Sequence, residues 1–262
     1  MSAAAWLPTG TVYGTLLNFR READLWAPRM TEAPYKAAPR APVLYVKTAN
    51  TYAPQGAAVA VPGEVDVGAS VGLVIGEMWT NRPAALQPSA RAATDGVANA
   101  VRPIAGCVLL SDLSLPHDSY YRPALRYRNR DGFLVCGPAV RPLADVGDIG
   151  AITLHIQIND KPVQTVALTD LVRNAATLLA DVADFMALEP GDVLMVGTDC
   201  LPDGTRPRAK AGDRIEITAT GFAPLVHTVT QESSVAGPPQ GARAPAGGSA
   251  GAAATSVGVR SS

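Results

Sequence analysis

The chain has 262 residues, 47% of them hydrophobic and 17% charged, which is enough apolar material for one large domain or two small ones. Twenty-two Lys plus Arg against 23 Asp plus Glu leave a formal charge of -1. No overall field therefore points to nucleic acid or to an acidic membrane, and a charged ligand must be met locally.

The three cysteines, Cys107, Cys136 and Cys200, are odd in number, widely spaced and without a CxxC or Cys/His pattern, which argues against a disulfide framework or a zinc site. The opening residues show no basic region followed by an apolar core, and no later segment reaches about 18 uncharged apolar residues. The expectation is a soluble cytoplasmic protein. Residues 1–10 read as an N-terminal extension.

Residues 11–20, TVYGTLLNFR, begin as a strand and end in a polar cluster of Asn18, Arg20 and Arg21, which reads as a strand running into a surface turn. Three prolines then precede a short strand at 43–46 that delivers Lys47 at its end. A lysine there is either solvated or held as an anion-binding group. Residues 57–81 predict two strands, the second from Ser70 to Ile75, and its unbroken apolar run implies burial on both faces. The alanine-rich stretch at 88–101 predicts a helix.

An apolar run from Ile104 to Leu110 predicts a buried strand that hands over to the stretch 111–138, SDLSLPHDSYYRPALRYRNRDGFLVCGP. Charged and aromatic residues gather there, in a chain where they are otherwise thin. Asp112 is expected where strand meets loop, a favoured place for a functional carboxylate. Residues 151–158 alternate at period two, with Asn159 and Asp160 as a hairpin turn and 163–167 as the returning strand. His155 falls on the polar face as a surface histidine. Apolar residues at spacings of three and four predict a helix over 170–186, capped by Thr169, and two later Gly-Asp turns each introduce a strand. From Ser233 the chain is low in bulky apolar residues and reads as a disordered tail, so the expected domain is 11–232.

Six segments in order now resemble the fumarylacetoacetate hydrolase family: LLNFR (16–20), PYKAAPRAPVLYVKTANT (34–51), GASVGLVIG (68–76), AGCVLLSDLSLPHDSYYRPALRYRNRDGF (105–133), TDLVRNAATLLADVADFMALEPGDVLMVGT (169–198) and PRAKAGDRIEITATGFAPL (207–225). The resemblance implies a mainly β, α+β fold with few helices, a mixed β-roll. It also implies a divalent metal, Mg2+ or Mn2+, held by a Glu-x-Glu pair and a later aspartate. Asp112 matches that aspartate, whereas Gly68 and Ser70 stand at the two glutamate positions. One carboxylate of three is poor compensation for a hard dication, so the metal is expected in a partner subunit rather than here. Arg128 stands where the family has a lysine, with Asp131 after it; these two are the catalytic candidates, although arginine keeps the charge without exchanging a proton near neutral pH. Asn18, Arg20, Lys47 and Thr198 match motif residues that bind substrate.

The branch resembled removes carbon dioxide from 5-oxopent-3-ene-1,2,5-tricarboxylate and isomerises 2-hydroxyhepta-2,4-diene-1,7-dioate in 4-hydroxyphenylacetate catabolism. The implied ligand is a small anionic 2-oxo or enol di- or tricarboxylate, and the implied partner is a homologous second subunit or a further copy of the chain. Neither nucleic acid nor membrane is expected as a partner. Two other readings stay open: a non-catalytic scaffolding member of the family, and a hydrolase or tautomerase of another acylpyruvate-type acid.

Overall fold

A computed structural model describes residues 5–80, 101–117 and 124–233. The expected helix at 88–101, apart from Val101, and the expected tail beyond Ser233 lie outside those residues, as do Asp118, Tyr120, Tyr121 and Arg122. Among the described residues no helix is long and apolar enough to cross a membrane.

Among the described residues fourteen strands form two mixed sheets, as expected for a mainly β fold with few helices. In chain order they are β1 (Val12–Leu16), β2 (Val43–Lys47), β3 (Tyr52–Ala53), β4 (Ala58–Val61), β5 (Val65–Ile75), β6 (Ile104–Ser114), β7 (Leu134–Cys136), β8 (Arg141–Pro142), β9 (Thr153–Ile158), β10 (Lys161–Ala167), β11 (Val193–Met195), β12 (Arg208–Ala209), β13 (Arg214–Thr218) and β14 (Leu225–Gln231). The nine-stranded sheet runs β2-β1-β11-β5-β6-β7-β3, with β12 on β5 and β8 on β6; the five-stranded sheet runs β10-β9-β13-β14-β4. The pairs β1/β11, β3/β7 and β14/β4 are parallel and the rest antiparallel.

Alternation along β5 and β6 explains the layers. Odd positions such as Val67, Val71, Leu73, Cys107 and Leu109 face the main core, where Leu154, Ile156, Ile215 and Ile217 of the smaller sheet meet them. Even positions such as Val74, Val108 and Leu110 join Val12, Val193 and Met195 in a second apolar cluster on the other face. Both faces of β5 are therefore covered, so its run of apolar residues needs no polar alternation. Trp6 packs on the second cluster, and Gly10 donates to the Gly191 carbonyl.

Three local expectations change. After β1 the chain enters a helix, α1 (Arg20–Met30), not a surface turn. The strand holding Asp112 does not end at Leu110; β6 continues to Ser114 because its ladder with β5 persists to Asp66↔Ser114. The later helix is shorter than 170–186: it covers Ala175–Ala183 and is capped by Asn174, whose side chain accepts from the Thr177 N–H. Asn18 delays its start. The Asn18 side chain accepts from the Arg173 N–H and donates to the Arg173 carbonyl, and its own carbonyl accepts from the Val172 N–H, which holds 171–173 outside the helix. The 159–160 hairpin is as expected, with positive φ at both turn residues, and His155 is exposed.

Candidate functional site

Asp112 points to the second face of the large sheet and is 3% exposed. Period two places Tyr45 and Lys47 on one face of β2, and both reach this carboxylate. Lys47 Nζ lies 2.9 Å from Oδ1, Arg128 Nη1 lies 3.2 Å from Oδ2, and the Tyr45 hydroxyl donates to Oδ2. The Tyr45 ring can lie here because Gly14, its partner in the β1/β2 ladder, has no side chain; a Cβ there would fall 2.0 Å from the ring's Cζ. Arg128 comes from a short helix, α2 (Leu125–Arg128), and stacks over that ring at 4.6 Å.

Lys47 is fully buried and is not solvated. Its ammonium faces Asp112 and donates to the carbonyls of Phe133 at 2.9 Å, of Leu113 at 3.4 Å and of Arg128. Burial pulls its pKa down while Asp112 pushes it up. All four neighbours are acceptors, so the charged form is the one that fits. For Asp112, burial would raise the pKa, but Lys47, Arg128 and the bonds from Tyr45 and Lys47 outweigh it and hold the carboxylate ionised. Burial, then the Asp112 charge, drives the Tyr45 phenol well above its ordinary value, which leaves it a donor. The result is a closed cluster: one carboxylate, two cations and a phenol.

Directly across the ladder from Asp112 stands Gly68, and Ser70 follows on the same face. The space a Gly68 side chain would need is filled by Thr198, whose Cγ2 lies 2.6 Å from the position of a Cβ. The Ser70 hydroxyl is fully buried and, among the described residues, bonds only the neighbouring Val71 carbonyl, at 3.4 Å. These residues do not fit the divalent metal that the resemblance implies. Among the described residues Asp112 is the single carboxylate in the cluster, its oxygens face Lys47, Arg128 and Tyr45, and no group of three His, Cys, Asp or Glu is placed to hold an ion. Gly68→Ala is expected to cost about 1–3 kcal/mol in thermal unfolding by overpacking, and the second substitution Thr198→Ser, which removes the clashing methyl, should restore at least half of it. An unaffected single variant would mean that Thr198 is not wedged there.

The other expected residues divide. Thr198 is buried beside Gly68 and accepts from Arg206, with Nη2 at 3.1 Å. Asn18 is buried and serves as the backbone clamp described above, donating also to Val196. Asp131 is exposed in a separate polar turn, where it accepts from Asn50 at 2.7 Å. Arg20 is exposed and lines a different cavity, of about 620 Å³, beside the start of the Ala175–Ala183 helix. Lys47, Asp112, Arg128 and Thr198 are brought together; Arg20 and Asp131 are not among them.

An open cleft of about 670 Å³ lies alongside, walled by Leu25, Trp26 and Arg29 of α1, by Asp66, His117 and Tyr127, and by 203–206 and Arg208. Its wall is fixed by charge: Glu22 meets Arg206 at 2.6 Å and Arg21 meets Asp199 at 3.2 Å. His117 stacks on Tyr127 with centroids 5.3 Å apart, and its ring nitrogen Nδ1 bonds the Leu115 carbonyl; burial keeps its pKa below the usual histidine value. Arg206, Tyr45 and Glu22 escaped the sequence reading. Only Tyr45 left a signal there, its spacing of two from Lys47.

Comparison with known proteins matches residues 11–230 to the fumarylacetoacetate hydrolase C-terminal family. The chain is 34% identical over 228 residues to the 4-hydroxyphenylacetate degradation bifunctional isomerase/decarboxylase of Escherichia coli, and 34% identical over 229 residues to that of Salmonella dublin. These matches cover 86% and 87% of the chain and 48% of each relative, so the chain spans about half the length of the curated relatives it matches. Two solved structures share the fold. A 5-carboxymethyl-2-hydroxymuconate delta-isomerase from Mycobacterium smegmatis has a TM-score of 0.65 at 20% identity, covering 87% of this chain and 82% of that one. A fumarylpyruvate hydrolase from Pseudomonas aeruginosa in complex with Mn2+ and pyruvate has a TM-score of 0.68 at 18% identity, covering 88% and 94%. With a matching family domain across most of its length and relatives above 30% identity, the chain belongs to the fumarylacetoacetate hydrolase family.

Proposed function

We propose that this chain is a subunit of the isomerase/decarboxylase that acts on 2-hydroxyhepta-2,4-diene-1,7-dioate and 5-oxopent-3-ene-1,2,5-tricarboxylate in 4-hydroxyphenylacetate catabolism, working beside a homologous, metal-competent subunit. The observation that carries the division of labour is the closed cluster at Asp112. Its carboxylate is neutralised by Lys47 and Arg128, and the facing strand offers Gly68 and Ser70 in place of ligands. Similarity to the bifunctional relatives across about half of their length supports the pathway. The metal requirement falls on the partner, and this chain contributes packing and a cationic cleft.

Titration of the chain alone with MgCl2 or MnCl2 is expected to show a dissociation constant weaker than about 10 µM, and turnover is expected only when the metal-competent homologue is added. Tight metal binding, or full activity of the chain alone with Mg2+, overturns the proposal.

The same cluster favours a second reading, a scaffold that supports the homologue without touching substrate, because every charge in it has an internal partner. The two readings part at the cleft. A scaffold supports the homologue's turnover undiminished when Arg29 and Arg208, both exposed on the cleft, are replaced together by glutamine, whereas a substrate-binding subunit raises KM.

A further inference from the structure

We infer that the cleft beside α1 is a binding site for a planar, conjugated dicarboxylate, and that Arg29 is the residue that grips the carboxylate farther from the reacting end. This rests on the substrate class proposed above and assigns its specificity to a side chain of this chain.

Among the described residues three guanidinium groups line the cleft, and two of them are already neutralised. Arg206 is paired with Glu22 at 2.6 Å and is 12% exposed in its side chain. Arg208 is paired with Asp66 at 3.2 Å and Glu64 at 3.7 Å. The carboxylate of Asp203, on the same wall, takes the N–H and hydroxyl of Thr205. Arg29 is different. Among the described residues no carboxylate lies within ion-pair distance of it; its guanidinium instead sits over the Trp26 indole, 5.1 Å from the ring centre. Trp26 is braced in turn by an edge contact with Tyr35, centroids 5.9 Å apart at 86°. The charge is therefore held in place by an aromatic face but not cancelled by an acid, and its fork of N–H groups matches a carboxylate.

The flat surfaces of the same cleft define the rest of the ligand. Trp26 forms one wall, and the stacked pair of His117 and Tyr127, inclined by 16°, forms another. Such walls favour a thin conjugated chain over a branched or sugar-like one. Arg206, largely buried, and Arg29, exposed, line the same cleft, and so a linear ligand with charge at both ends is the shape that uses both.

The test is calorimetric titration of the full chain with 2-oxoheptanedioate and with 2-oxoheptanoate, which differ only in the far carboxylate. Wild type is expected to bind the dicarboxylate about tenfold or more tightly, the size of one charge-assisted contact. In Arg29→Gln the preference should fall to less than about twofold, and in Arg29→Lys it should partly return, with an unchanged unfolding temperature because the residue is exposed. If both acids bind wild type but the preference persists in Arg29→Gln, the assignment of Arg29 fails while the dicarboxylate class stands; if wild type shows no preference, the dicarboxylate class fails with it. If neither acid binds, the cleft is not a 2-oxo acid site, and the inference and the substrate-binding part of the proposed function fail together.

Discussion

Asp112→Ala is expected to lower the stability of the folded chain by about 3–5 kcal/mol at pH 7, the usual cost of removing one partner from a buried ion pair. Taking out the carboxylate leaves the Lys47 ammonium, with no exposure at all, facing only carbonyls, and leaves the Arg128 guanidinium, 5% exposed, stacked on Tyr45 without a counter-charge. For a chain of this size the melting temperature should drop by on the order of 10 °C. Lys47→Met should cost less, since Arg128 and Tyr45 still hold Asp112. The double variant should be markedly less damaging than the sum of the two, because it removes the mutual penalty. Thermal and denaturant unfolding of the four proteins measures this. Strict additivity, or an Asp112→Ala chain within about 1 kcal/mol of wild type, would show that the cluster is not a coupled unit. A corollary concerns assays: loss of activity in Asp112→Ala reports unfolding as readily as chemistry, so the cleft residues are the sounder probes of function.

Where sequence and structure agree, local pattern and tertiary environment point the same way. The apolar run of β5, the period-two alternation of β9 and the Asn159–Asp160 turn each carry their instruction within a few residues, and the structure follows. The helix α1 shows the opposite case. Its sequence RREADLWAPRM contains Pro28 and no apolar stripe, and only Glu22 and Met30 are buried. What holds it is the pairing of Glu22 with Arg206, 184 residues away, and of Arg21 with Asp199, which no window of sequence displays. The site divides in the same manner. Motif order was enough to single out Asp112, Lys47, Arg128 and Thr198, because each falls within one of the segments that resemble the family. It did not reveal that Lys47 and Arg128 spend their charge on Asp112 itself, nor that Asp131 turns outward to Asn50. Those outcomes depend on side-chain direction, which alternation gives only when the register of neighbouring strands is known.

Register also separates two adjacent residues of β6 with opposite consequences for pH. Asp112 faces the ion cluster, whereas Ser111 faces the inter-sheet core and meets His227 of β14, with Nε2 2.9 Å from the serine hydroxyl. His227 is 1% exposed, and burial brings its pKa down to about 4. In the unfolded chain the same group titrates near about 6.5. Above that value it is neutral in both states and pH has no leverage. Between about 6.5 and about 4 the unfolded state binds the proton and the folded state refuses it, so stability falls as pH falls, by a total of about 3 kcal/mol. Asp112 adds a loss of the same sign only at lower pH, because its folded pKa lies below the ordinary 3.8. Asp199, raised by burial, works in the opposite direction. The contribution of His227 is isolated by His227→Gln, which keeps a polar partner for Ser111 and cannot be protonated. Denaturant unfolding from pH 7 to pH 4 should show wild type losing about 3 kcal/mol more than the variant, with the gap opening below about pH 6.5. Parallel curves for the two proteins would mean that His227 is protonated within the folded core and that its burial is not what the geometry states.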